Sequence, residues 1–223
     1  MAVERKFIEG AISKHLVAQF LEQELDKAGF STVEIQRTPM VTRIAVAVSN
    51  PGRVIGRKGK AIKDLTEIVQ NKFGIENPQI SVVEVSTPEL EPRLMAKRVV
   101  KLIEMGKNIR RVLHANLKAI MDAGALGAEI IASGKIVAKG GRAKSLRVAA
   151  GYIPKAGEPA RLVREAHITA YPKPGAIGVL VRIVPPGTLF PDKIKLHRVE
   201  LPRVISSADE AELDKEQEDL GVS

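Results

Sequence analysis

The segment of this sequence that most limits its fold is Gly56–Gly59, in which two glycines enclose Arg57 and Lys58. Two other glycine pairs share its spacing: Gly124/Gly127 and Gly175/Gly178. Only the first pair holds two cations, follows an apolar dipeptide and precedes an amphipathic helical pattern. Glycines without a Cβ let the backbone approach a nucleic-acid strand closely, and the free amides at a helix start favour an anion. This segment therefore predicts a phosphate clamp.

Seven residues around the turn are the expected RNA contacts: Val54, Ile55, Gly56, Arg57, Lys58, Gly59 and Lys60. The cations would bind phosphates, while Val54, Ile55 and Ile62 would offer an apolar surface to unstacked bases. The alternative is an ordinary helix–turn–helix with a solvated basic turn. A nucleotide-binding P-loop is excluded, because it needs Gly-x-x-x-x-Gly-Lys-Ser/Thr and Lys60 is followed by Ala61.

The segments around the turn alternate between helical and strand periodicity. Apolar spacing predicts a helix over 8–28, ended by Gly29, with Ile12, Leu16, Phe20, Leu21 and Leu25 on its buried face. Strands are predicted over 32–37, 41–48 and 79–85. Between the last two lie a short apolar turn at Val54-Ile55 and a helix with an apolar face at Ile62, Leu65, Ile68, Val69 and Phe73. The predicted order is helix, strand, strand, short helix, helix, strand.

A proline-containing stretch, 86–92, marks a boundary, and a second α+β segment follows it. Helices are predicted over 94–105 and 108–123, separated at Gly106. Strands are then predicted over five stretches: 128–132, 136–138, 146–153, 162–170 and 177–184. Lys139-Gly140-Gly141-Arg142 is typical of a hairpin turn, since glycine supplies positive φ.

Two further basic clusters lie in this second half. On the predicted helix 108–123, one exposed side would carry Arg110, Arg111, His114 and Lys118. The other cluster flanks the glycine hairpin and consists of Lys135, Lys139, Arg142, Lys144 and Arg147. Both are predicted to contact RNA. The alternatives are a solvated helix face and an ordinary basic hairpin.

Charge favours a polyanionic partner. The chain carries a formal net charge of +9, although its last 23 residues hold seven acidic side chains against Arg203 and Lys215. The basic excess therefore lies in the body of the chain and indicates nucleic acid, with charge for solubility as the alternative. Charge alone does not choose among RNA, DNA and an anionic membrane. The acidic tail is predicted to be mobile.

Other chemistry is absent from the sequence. There is no Cys, which excludes disulfides and thiolate metal sites, and the four His show no metal-ligand spacing. No catalytic constellation or cofactor motif is present, so no enzyme, metal or cofactor is expected. Uncharged runs fall far short of the roughly 18 apolar residues that span a membrane. We expect a soluble intracellular protein.

The element order together with Val54-Ile55-Gly56-Arg57-Lys58-Gly59 resembles a type II KH domain (αββααβ). The stretch from Arg110-Arg111 to Ser133-Gly134-Lys135 looks like the C-terminal domain of the small-ribosomal-subunit protein three family. Gly141-Arg142-Ala143-Lys144-Ser145 is similar to the archaeal and eukaryotic branch of that family. The resemblance implies an α+β fold in which a type II KH domain (1–86) precedes a domain of two helices on a mainly antiparallel sheet (87–190) and an acidic tail (191–223).

The same resemblance implies a structural role in the head of the small subunit, in the cytoplasm. Its partners would be ribosomal RNA, neighbouring small-subunit proteins, and messenger RNA where the messenger enters. The family carries an Arg-Arg-x-x-Lys pattern implicated in gripping and unwinding that messenger. Arg110 and Arg111 match the pattern, whereas the Lys position is His114 in this sequence, with Lys118 one turn later.

Two rival functions stay open at this point. A free-standing KH-domain regulator or transcription factor would share the clamp without needing the second domain. Cleavage of DNA strands at damaged sites is attributed to some eukaryotic members of the family that this chain resembles, but no active-site constellation in this sequence supports it.

Overall fold

Each half of the chain builds its own hydrophobic core between helices and one face of a sheet. A computed structural model describes residues 3–38, 40–75, 77–136, 141–173 and 175–191. Both halves, up to Thr188, belong to one compact unit. Their buried apolar side chains nevertheless form two separate clusters, one on each side of the 86–92 boundary.

The N-terminal half contains three helices and three strands. They are α1 (Val3–Glu24), β1 (Phe30–Arg37), β2 (Thr42–Val48), α2 (Pro51–Ile55), α3 (Lys60–Phe73) and β3 (Pro78–Glu84). β2 is central, with β1 antiparallel on one side and β3 parallel on the other. The parallel pairing requires the chain to cross over between β2 and β3, and α2 and α3 make that crossover. The order αββααβ and the mixed sheet confirm the predicted KH arrangement.

The core of this half draws on both helices and strands. On β2 the side chains of Ile44, Val46 and Val48 are buried, as the alternating pattern predicts. α1 ends at Glu24, earlier than predicted, because a 3₁₀ turn over Asp26–Ala28 separates it from Gly29. Gly29 has φ 76°, so it does end the helical region as expected.

The predicted apolar face of α1 is wrong along its first half. Ile12 and Leu16 are exposed, whereas Val17, Leu21 and Leu25 are buried. Apolar residues occur on several sides of this helix, so periodicity alone did not select the side that meets the sheet. Ile68 of α3 was also predicted to be buried and is exposed.

The C-terminal half places two helices on one face of a four-stranded antiparallel sheet, which confirms its predicted class. The elements are α4 (Pro92–Glu104), α5 (Ile109–Asp122), β4 (Gly127–Gly134), β5 (Lys144–Gly151), β6 (Arg164–Ala170) and β7 (Ile177–Val184). The strand order is β5-β4-β7-β6. Buried Ala128, Ile130 and Ala132 alternate along β4 and belong to the same core as the buried side chains of both helices.

Three strand predictions in this half need correction. The strand predicted over 146–153 is β5, which begins at Lys144 and ends at Gly151. β6 begins at Arg164, because Glu158–Leu162 form a 3₁₀ turn instead of extended backbone. Of the strand predicted over 136–138, Ile136 lies in no strand, and residues 137 and 138 lie outside the described residues.

Polar contacts join the two halves. Glu91 precedes α4 and accepts hydrogen bonds from the Ser31 hydroxyl of β1 at 2.9 Å and from the Arg164 guanidinium of β6 at 2.8 Å. Two ion pairs join α4 to the end of α1 and the turn after it: Arg93–Glu22 and Lys97–Asp26. We call these contacts the Glu91 junction. It fixes one half against the other through charged groups, while the two apolar cores stay separate.

Candidate nucleic-acid interface

The Gly56–Gly59 turn connects α2 to α3 through backbone conformations that favour glycine. Gly56 has φ 70° and ψ −174°, Gly59 has φ 72°, and Lys58 between them has φ 54°. A Cβ added to Gly56 would lie 2.7 Å from the Ala61 Cβ, whereas one added to Gly59 would meet nothing within 4 Å. Gly56 is thus required by both conformation and space, and Gly59 by conformation alone.

The side chains of this turn separate into a charged surface and one core residue. Ile55, Arg57, Lys58 and Lys60 are exposed. Within the described part of the chain, none of these three cations forms an ion pair with an acidic side chain. The turn therefore presents uncompensated positive charge beside the first amides of α3.

Val54 does not belong to that surface. Its side chain is 1% exposed and is part of the N-terminal core, so it supports the turn from beneath and cannot meet a base. Its prediction as an RNA contact is corrected on this ground, and the apolar surface offered to bases consists of exposed Ile55 and half-buried Ile62. Burial of a single residue depends on tertiary packing, which a local motif does not specify.

α5 carries its cations on the side opposite its core contacts. Asn108 caps the helix, and its side chain accepts a hydrogen bond from the Arg111 amide at 3.5 Å. The buried side faces the core with Val112, Leu113, Asn116, Leu117 and Ile120. The exposed side carries Arg110, Arg111, His114 and Lys118, as predicted. We call these four residues the α5 row.

The third predicted cluster is divided by the structure. Lys135 and Lys144 are exposed at the same end of the sheet, where Gly134 of β4 pairs with Lys144 of β5, and Arg142 is exposed just before β5. Lys139 lies outside the described residues. Arg147 faces another partner, because its guanidinium forms an ion pair with Glu129.

Glu129 is a buried acid that the sequence analysis overlooked. It lies on β4, is 1% exposed, and is approached by Lys155 at 3.8 Å and by Arg182 at 3.7 Å in addition to Arg147. Arg182 also pairs with Glu165 at 3.2 Å. A carboxylate buried in this way must be paired, and three cations from β5, β7 and the loop after β5 pair it. The available signal was one Glu within the otherwise apolar strand 128–132.

The surroundings of these surfaces offer no metal site. Among the residues that the structure describes, no group of three or more His, Cys, Asp or Glu could hold a metal ion. Nor does the described chain include a helix long and apolar enough to cross a membrane. The described residues thus present one exposed cation surface on a backbone turn, one on a helix, and a third group at one end of the C-terminal sheet that consists of Lys135, Arg142 and Lys144.

Comparison with known proteins gives matches across both halves. The family model of the KH domain matches residues 16–90, and that of the ribosomal protein S3 C-terminal domain matches residues 99–183. The chain is 41% identical to small ribosomal subunit protein uS3 of Methanobrevibacter smithii, over 87% of this chain and 77% of the relative. It is 42% identical to the uS3 protein of Methanothermobacter thermautotrophicus (86% and 74%) and 41% identical to that of Methanocaldococcus jannaschii (86% and 92%).

Proposed function

This chain belongs to the family of small ribosomal subunit protein uS3 and is thereby a structural RNA-binding protein of the small subunit. We propose that two of its exposed cation surfaces, the Gly56–Gly59 turn and the α5 row, bind different RNAs. The Gly56–Gly59 turn clamps a short single-stranded stretch of ribosomal RNA. The α5 row lines the path by which messenger RNA enters the subunit.

The observation that carries this proposal is the absence of compensating acids. Within the described residues, the cations of the turn and of the α5 row have no ion-pair partner, although the same structure pairs Arg93, Lys97, Arg147 and Arg182 with acids. Exposed cations without an acid are free to replace the counterions of a phosphate backbone. Phosphate contacts carry no base information, so the α5 row positions a strand without selecting its sequence.

The test of the messenger role is a double substitution, Arg110→Ala with Arg111→Ala, in reconstituted small subunits. The fold should persist, because the buried residues of α5 are untouched. Translation should slow more on messengers with hairpins than on hairpin-free ones. Each lost phosphate contact should lower the salt slope of RNA binding by about 0.7 to 0.9.

The matched control keeps both charges, with Arg110→Lys and Arg111→Lys. If positive charge close to the messenger strand determines the effect, subunits with this variant should translate hairpin-bearing messengers nearly as fast as subunits with the unaltered protein. Equal slowing of the double alanine variant on both messengers, or none on either, would contradict the messenger role. The α5 row would then be an anchor for ribosomal RNA or a solvated face.

We further propose that the chain acts without catalysis and on cytoplasmic ribosomes. Its partners besides messenger are small-subunit ribosomal RNA and neighbouring small-subunit proteins, as the family name implies. A DNA-cleaving activity would require that highly purified protein cut damaged strands and that one point mutation abolish the cutting. A free-standing regulator would not co-sediment with small subunits on a sucrose gradient, whereas a subunit protein would.

The proposed domain limits are 1–86 for the KH domain, 87–190 for the second domain and 191–223 for the acidic tail. The first boundary agrees with two separate cores and with the polar junction at Glu91. All but the first residue of the tail lies outside the described residues. Its predicted mobility is tested by amide exchange in 206–223, where strong protection would contradict it.

A further inference from the structure

A groove runs between α5 and the outer edge of β5, beside the α5 row. Its volume is about 430 Å³, which falls within the roughly 300–1,000 Å³ of typical small-ligand pockets. Half-buried Leu146 and Val148 of β5 contribute apolar surface, and fully buried Leu113 of α5 lies beneath them. Arg110 and His114 line the α5 side. The groove therefore combines apolar side chains with two members of the α5 row.

The charge of the groove points to an anionic occupant. Its ionisable lining residues are Arg110, Arg147 and His114, and no acidic residue lines it. The Arg147 guanidinium does not add to this charge, because alternation along β5 places it on the other face of the sheet, where it pairs with buried Glu129. Arg110 is in contrast exposed and unpaired within the described residues. A phosphate at the groove would therefore meet Arg110.

His114 is the residue at which this sequence departs from the Arg-Arg-x-x-Lys pattern of its family. An imidazole is a weaker phosphate contact than a lysine ammonium, which is a compact point charge with three donors on a flexible stem. It is, however, a flat ring on which a nucleobase can stack, which an ammonium is not. Its place at the groove, next to apolar side chains, suits stacking better than phosphate contact.

The backbone of β5 adds a third kind of contact. β5 is an outer strand of its sheet, and no strand in the described part of the chain pairs with its free edge. An edge strand presents unpaired N–H and C=O groups, which can hydrogen-bond to the edge of an unstacked base. Apolar floor, stacking ring, cation and free backbone groups thus occur together at one groove.

We propose that this groove binds one unstacked base of a single-stranded RNA, with His114 stacking on the base and Arg110 contacting the adjacent phosphate. The inference rests on the proposed role of the α5 row. It adds that the strand is held by a base as well as by phosphates, without selection of sequence, since stacking is available to every base.

The experiment uses the full chain with Arg57→Asp and Lys58→Asp, which remove the contribution of the KH clamp to RNA binding. The probes are a short single-stranded RNA and a set of the same RNA with one abasic position each. The affinity for the intact RNA should exceed that for the most weakly bound abasic RNA by about fivefold or more. This factor corresponds to the lower end of the 1–3 kcal/mol, roughly, that stacking of one base contributes.

Three substitutions at one exposed position separate stacking from charge. In the same background, His114→Ala should lose the preference for intact RNA, and His114→Phe should keep it. His114→Lys should lose the preference while its salt slope rises by about 0.7. The control is Lys118→Ala, because Lys118 belongs to the α5 row but does not line the groove. This variant should lower the affinity for intact RNA and for abasic RNA by the same factor.

The outcomes distinguish this inference from the proposed function. Suppose that Arg110→Ala with Arg111→Ala lowers the affinity for every RNA, but that the protein with both arginines binds intact and abasic RNA equally. The base-binding groove is then wrong, while the RNA-binding role of the α5 row is supported. If the same double variant changes no affinity, the RNA role of the row fails as well. Loss of preference in His114→Phe, or its retention in His114→Lys, would also overturn the stacking role. A protein strand added to β5 would then be the better occupant.

Discussion

The two proposed RNA surfaces are built by different means, one from backbone and one from side chains. The Gly56–Gly59 turn depends on three consecutive or near-consecutive positive φ angles and on a close approach to Ala61. The α5 row instead stands on a regular helix whose opposite side is buried in a core. Both surfaces present cations without acidic partners in the described chain, yet we expect different kinds of substitution to disrupt them.

The difference predicts where each surface is vulnerable. A turn that needs glycine is damaged by adding atoms, because a Cβ strains the backbone or collides with a neighbour. A helical row is damaged by removing atoms, either the charges themselves or the core that holds the helix. Substitutions that add or remove atoms at matched positions therefore test whether the contrast is real.

The largest expected effect is a cavity in one core that leaves the other intact. Ile120→Ala on α5 and Leu21→Ala on α1 each shorten a fully buried side chain and should cost about 2–5 kcal/mol of unfolding free energy. Because the cores are separate, Ile120→Ala should speed amide hydrogen exchange in β4 and β7, and Leu21→Ala in β2. Hydrogen exchange read by mass spectrometry measures both. Equal acceleration in both halves by either variant would show that they unfold as one unit.

The next effect separates the two glycines of the turn. Gly56→Ala should destabilise the N-terminal half by about 1–3 kcal/mol, since its backbone conformation is almost confined to glycine. The 2.7 Å approach of an added Cβ to Ala61 adds to that cost. Gly59→Ala should cost only about 1–2 kcal/mol for a left-handed conformation, because its surroundings are open. Thermal denaturation of the full chain compares them. Equal losses would contradict the structural difference between the positions.

The backbone conformation of Gly56 also affects how the clamp can be tested by adding negative charge at the two glycines of the turn. An aspartate at each would reduce RNA binding partly by straining the turn at Gly56, and not only by repelling phosphate. Gly59→Asp alone is the better test of repulsion, with single-stranded RNA affinity as the measurement. Unchanged affinity in the folded Gly59→Asp variant would argue against the clamp.

A smaller effect is expected at the Glu91 junction, which joins the two halves of the chain. Glu91→Gln removes the carboxylate that accepts hydrogen bonds from Ser31 and Arg164. It should lower the free energy of unfolding by about 1 kcal/mol, because solvent screens the half-exposed Arg164. The control Glu158→Gln breaks the exposed pair with Arg161 and should cost about 0–0.5 kcal/mol. Urea denaturation at low salt measures both. A Glu91 effect no larger than the control would mean that the junction does not stabilise the domain arrangement.

Much of the fold was predictable because local patterns determine it. Period-two alternation located β7 at Ile177–Val184 with no error, and the helical pattern of 108–123 located the α5 row on the exposed side. The turn at Gly56 was found from glycines, cations and their setting. In each case the decisive residues lie within one element of the chain.

What failed depends on contacts between distant parts of the chain. The ion pair of Arg147 with Glu129, 18 residues earlier, was not foreseen, because it depends on the pairing of β4 with β5. Val54 was included in the clamp surface because it is adjacent to it, and packing places it in the core. The outer side of α1 was misassigned because apolar residues lie on both sides. Pairing and burial of this kind follow from tertiary structure and leave little local trace.

The smallest expected effect comes from replacing one lysine by glycine on each surface. The change in the free energy of unfolding should have opposite signs at the two positions. Lys58→Gly relieves a positive φ that costs a lysine about 1–2 kcal/mol, while glycine loses more backbone entropy, so the net change should be a gain of about 0.5 kcal/mol. Lys118→Gly instead places glycine inside α5 and should cost about 0.5–1 kcal/mol. Each removes one exposed cation, so each should lower the salt slope of RNA binding by about 0.7 to 0.9 if it contacts phosphate. Thermal denaturation and a salt titration of RNA binding on the same two variants therefore separate stability from binding. Destabilisation by both would remove the contrast between a backbone-built and a helix-built surface, because it would show that the turn holds its shape without strain at Lys58.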